Sequence, residues 1–98
     1  MIVASINGTP ALGFVEFVER DDGTADRAGV LKLTAANAQR LQAMLERNEP
    51  LVYAGPVFLD GRWCSQTFSI VVRSMEVPLG QPSTVHIVEK KAEGAAAA

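Results

Sequence analysis

Between residues 33 and 50 the apolar positions fall at helical spacing, and no other run in the chain does this. Ala38, Leu41, Met44 and Leu45 recur three and four residues apart, which gathers them on one face of a helix over about 34–48. Asn37, Arg40 and Arg47 fall mostly elsewhere. Thr34 stands where its hydroxyl can accept from an orphan amide of the first turn, and Leu33 is placed to staple against Ala38. Pro50 has no amide proton and disfavours helical geometry at Glu49, so the helix ends near Asn48. Leu41 and Leu45 are the expected contact with a sheet.

The rest of the chain alternates with the period of strands. Ile2, Ala4 and Ile6 share a face, and Asn7-Gly8 supplies a tight hairpin turn. The returning strand is expected to start after Pro10, which cannot donate to a ladder, with Leu12, Phe14 and Val18 on one side and Val15 and Phe17 on the other. Two apolar sides mean that the strand is covered on both, or that one side is committed to another subunit. Residues 20–27 are polar and turn-rich, as in an exposed loop, and residues 29–33 form a strand leading into the helix. Residues 51–59 are β-forming, with Gly55-Pro56 expected to mark a bulge or a bent edge. Asp60-Gly61 is the clearest hairpin signal. It joins this segment to a long strand from Arg62 to about Met75, with Cys64, Phe68, Ile70 and Val72 on one face and Trp63, Thr67 and Val71 on the other. After a linker stiffened by Pro78 and Pro82, Val85 and Ile87 begin the face of a last strand.

This order describes an α+β fold, mostly antiparallel, of about six strands with one helix between the third and fourth. The alternative is a small, partly open barrel of the OB type, which also carries a helix between its third and fourth strands. A single domain over residues 1–90 is expected, followed by a flexible alanine-rich tail at 91–98.

Composition narrows the function classes. The 98 residues are 48% apolar and 20% charged, with a formal charge of −2, which suits a globular domain and offers no cationic footprint for duplex nucleic acid or anionic membrane. The chain shows no apolar run long enough to span a bilayer and no signal-peptide pattern at its start, so a cytoplasmic protein is expected. Cys64 is the single cysteine. It reads as an inert core thiol, and pairing with the single histidine, His86, as nucleophile and base is disfavoured. Asp22, Thr24 and Asp26 have the spacing of calcium ligands, but Arg27 and Leu33 stand where the glycine and bidentate glutamate of such a loop belong. No metal, cofactor or catalytic site is expected.

What remains is a non-catalytic protein-interaction or self-assembly module, with a protein partner or a second copy as ligand. Phe14, Val15, Phe17 and Val18 are the interface candidates, because one helix can cover only one side of their strand. The alternative function is single-stranded nucleic-acid binding on an OB-like surface, through Tyr53 and Trp63 for stacking and Lys32, Arg62 and Arg73 for phosphates. The acidic balance disfavours it.

Overall fold

Asn7 and Gly8 both take positive φ, 51° and 81°, so the chain reverses in two residues and pairs Ile6 with Thr9. In the computed structural model, which describes residues 3–19, 21 and 25–90, this turn joins β1 (Ala4–Ile6) to β2 (Thr9–Glu19). Ile2, residues 22–24 and 91–98, and the side chains of Val18, Glu19 and Ala25 lie outside the described residues. The chain continues through β3 (Ala25–Leu33), α1 (Ala35–Glu46), β4 (Leu51–Leu59), β5 (Arg62–Glu76) and β6 (Ser83–Glu89).

The six strands close into a barrel in the order β1-β2-β3-β6-β5-β4. Two antiparallel meanders, β1-β2-β3 and β4-β5-β6, are joined by the helix and meet along two seams. One seam pairs β3 with β6, and the other pairs β1 with β4. The barrel alternative drawn from the sequence is thus the arrangement found, closed and with six strands.

The β1–β4 seam explains two residues. Gly55 has φ 153°, and a Cβ there would stand 2.7 Å from the Ala4 Cα, so only glycine lets the strands approach. Pro56 follows where β4 changes partner, from β1 at Ala54 to a short parallel contact with β2 at Val57. Its missing amide proton falls in that gap, since the β4–β5 register shows that Pro56 turns its nitrogen away from β5. The bulge expected at Gly55-Pro56 is therefore absent: the pairing runs unbroken from Leu51–Ile70 to Leu59–Arg62. Pro10 likewise lies within β2, opposite Ser5, with its nitrogen turned away from β1, and β2 meets β3 only from Leu12 onward.

The expected loop at 20–27 is also shorter than its composition suggests. β3 begins at Ala25 rather than at residue 29, Asp26 is buried, and Arg27 is drawn against the barrel by partners distant in sequence.

The helix closes one end of the barrel. Thr34 accepts from the Asn37 amide at 3.2 Å, as its cap position requires. At the other end Asn48 takes φ 55°, and the Asn48 and Glu49 amides donate to Leu45 and Met44 carbonyls in a Schellman motif. Ala38, Leu41 and Met44 are buried, with Leu33, Ile6, Ala11 and Leu51 in the same core. Leu45 is 36% exposed, so the helix–sheet contact passes through Leu41, as expected, with Met44 in place of Leu45. The stripe is narrower than the sequence suggests, because the helix sits across the barrel end and not along a sheet.

Leu41→Ala is therefore expected to cost about 2–5 kcal/mol, and Leu45→Ala less than about 1 kcal/mol. Urea midpoints check both, and equal effects would contradict this seating of the helix.

Candidate functional site

Closure divides the side chains of each strand into an interior set and a wall set. Val15, Leu31, Tyr53, Val57 and Val85 are fully buried within the barrel. Val15, expected at an interface, is at 0% exposure and packs inside. Tyr53, expected on a stacking surface, is also at 0%; its hydroxyl donates to the Pro56 carbonyl at 2.6 Å, and burial pushes its pKa up to about 12. Both were legible as apolar strand positions, but alternation cannot tell which of two faces a closed sheet turns inward.

In the wall set, aromatic side chains from three different strands meet. Phe14 points out from β2, Phe58 from β4 and Trp63 from β5. The Phe14 and Trp63 rings meet edge-on with centroids 5.0 Å apart, and Phe58 and Trp63 meet tilted, also at 5.0 Å. Trp63 and Phe14 remain 60% and 42% exposed. The register carries the patch onward: Val30 lies opposite Phe14 across the β2–β3 ladder, and Leu12, 72% exposed, is the next wall position along β2. Gly13 lies between these two wall residues. A Cβ there would meet the Val30 carbonyl at 2.6 Å and a Leu31 methyl at 2.9 Å, so the missing side chain makes room for Leu31 in the core.

Charges near this patch do not suit a phosphate backbone. Glu16 is exposed on the same face and lies opposite Phe58 in the short β2–β4 pairing, placing a carboxylate beside the rings. Arg62 adjoins Trp63 in sequence, but Arg73 lies roughly 35 Å farther along β5 at about 3.3 Å per residue. Lys32 stands on β3 opposite Leu12. The nucleic-acid candidates thus do not form one groove: Tyr53 is inside, and the three cations are dispersed.

The barrel end opposite the helix holds a polar cluster. Arg27 lies over the Phe68 ring, 3.9 Å from its centroid, donates to Gln66 Oε1 at 2.7 Å and forms an ion pair with Glu89. These hydrogen bonds from Arg27 hold the Glu89 carboxyl below its ordinary value of 4.5. Phe17, the remaining described interface candidate, pairs with Arg27 at this rim and is half-exposed. It does not join the Phe14 patch. The Val18 side chain is outside the described residues.

Cys64 is half-buried in the interior set, its Sγ 3.5 Å from the Val57 carbonyl and 3.7 Å from Gln66 Nε2. His86 pairs with Ser74, near the far end of β5, and belongs to the wall set. The two are not brought together as nucleophile and base.

Among the described residues no helix is long and apolar enough to cross a membrane. No protein-family model, curated protein or solved structure matches the chain.

The Arg27–Glu89 contact gives a pH dependence with a defined sign. A carboxylate whose folded pKa is depressed stabilises the fold above its ordinary pKa of 4.5, and that contribution is lost as pH falls through the folded value. Glu89→Gln is expected to lower the urea midpoint at pH 7 and to approach wild type near pH 3. A difference independent of pH would contradict the ion pair's role.

Proposed function

We propose that the protein is a non-catalytic interaction module whose working surface is the aromatic wall of the barrel, Phe14, Phe58 and Trp63, extended by Val30 and Leu12. The observation that carries this reading is the exposure of Trp63 despite its two ring contacts. A tryptophan held in place by neighbours, with more than half its surface in water, is pre-ordered at little entropic cost to bind an apolar protein surface. The interior supplies the stability, so the wall residues are not needed to hold the barrel together. Glu16 beside the rings and the dispersed cations favour a protein partner over a single-stranded nucleic acid.

Trp63 is the only tryptophan in the chain, so its emission reports this surface directly. Over a concentration series followed by light scattering, association is expected to shift the emission to shorter wavelength. Phe14→Glu should abolish both changes while leaving the circular dichroism of the fold intact. A monomer with constant emission at all concentrations, quenched by a single-stranded oligonucleotide in a salt-sensitive way, would replace this reading with the nucleic-acid one.

A further inference from the structure

The β5 strand is longer than the strands beside it. On one side β4 covers it from Arg62 to Ile70; on the other, β6 pairs with it only from Ile70 to Glu76. The last rung toward β6 is the Lys90 amide donating to the Ser69 carbonyl at 2.9 Å. Among the described residues no strand pairs with that second edge between Arg62 and Phe68.

The register says which groups this edge presents. Asp60 and Gly61 make a two-residue turn with φ 49° and 73°, so Leu59 and Arg62 are a hydrogen-bonded pair, and every second residue thereafter bonds to β4. Trp63, Ser65 and Thr67 therefore turn their amides and carbonyls away from β4. Ser69, next in that series, is the residue that meets Lys90, which fits the same phase. An array of alternating donors and acceptors at strand spacing is matched by the backbone of another extended strand.

Edge strands ordinarily carry charges, proline or a bulge against such pairing. β5 carries none from Trp63 to Val72: the stretch has no Asp, Glu, Lys, Arg, Pro or Gly. β4 is equally uncharged but has partners on both sides, and the far part of the β2–β3 ladder bears Glu16, Asp26 and Arg27. The uncharged run also makes the β5 edge compatible with itself. In an antiparallel pair centred on Ser65, Trp63 faces Thr67 of the second copy and no like charges are opposed.

We infer that a second copy of this chain docks on this edge, β5 against β5 about a two-fold axis at Ser65, joining the two barrels through a continuous wall. This rests on the interaction reading above and names its partner.

Hydrogen exchange on the full-length protein tests the pairing. Amides of Trp63, Ser65 and Thr67 should become protected as concentration rises through the association seen by scattering. Ser65→Pro removes a donor that β4 does not use, and should weaken the dimer roughly tenfold or more with the fold retained. In a Cys64→Ser background, Ser65→Cys should give a covalent dimer under mild oxidation, because a hydrogen-bonded pair places the two Cα atoms about 5.5 Å apart. Thr67→Cys in the same background should not, since Thr67 faces Trp63 of the other copy. Association that persists in Ser65→Pro but is lost in Phe14→Glu, with these amides unprotected, would overturn the edge pairing and leave the wall as an interaction surface. Protection in the monomer at every dilution would overturn it too, by showing that the chain covers its own edge. A folded monomer with no association at any concentration would remove both.

Discussion

The structure depends on the seam between β1 and β4. Three residues of β1 bring the first meander against the second, and a polar clamp at their end fixes the join: the Asn7 amide donates to the Val52 carbonyl at 2.9 Å, Asn7 Oδ1 accepts from the Val52 amide at 2.8 Å, and Asn7 Nδ2 donates to the Pro50 carbonyl at 2.9 Å. One side chain thus ties the first turn to the residues that end the helix and begin β4. Gly55 permits the close approach farther along. Without this seam and the short β2–β4 pairing that continues it, the sheet would have two open edges, and Tyr53, Val57 and Val15 would lose the neighbours that bury them.

Closure also determines which residues remain available for function. Once the interior takes Val15, Tyr53, Val57 and Val85, the aromatic side chains on the opposite faces of the same strands have no second layer to cover them. They pack against each other, Phe14 and Phe58 both meeting Trp63, and form a surface ordered without a partner. The helix cannot cover them, because it is seated at the barrel end with Leu41 and Met44 inward. The opposite end is closed by Arg27, whose guanidinium serves Phe68, Gln66 and Glu89 together. Both ends are thereby occupied, and among the described residues the wall and the β5 edge remain exposed.

What could be read from the sequence was local. The helix bounds, the two hairpin turns and the alternation of β5 follow from caps, turn residues and period, each set within a few positions of the chain. The seams were not legible, because pairing of β1 with β4 and of β3 with β6 depends on registers between distant segments. The same limit explains the individual differences. Val15 and Phe14 are equally apolar, and only the curl of the sheet decides which enters the core. The polar composition around Asp26 and Arg27 resembles a loop until Glu89 and Gln66 are seen to meet the arginine. Gly55-Pro56 looks like an interruption in one strand, whereas it marks a change of neighbour beside that strand. The Phe14–Phe58–Trp63 group draws on three strands, so no single window of sequence contains it.

The most direct test of this account is nuclear Overhauser contact across the β1–β4 seam. Ile6 and Tyr53 are a non-hydrogen-bonded antiparallel pair, in which the two Cα atoms stand about 4.5 Å apart and their α protons face each other. A strong cross-peak between those α protons, together with slow exchange of the Asn7 and Val52 amides, is the result expected for the closed barrel. Loss of that cross-peak in a folded protein, with both amides exchanging freely, would show an open sheet and contradict the division into interior and wall on which the functional reading stands.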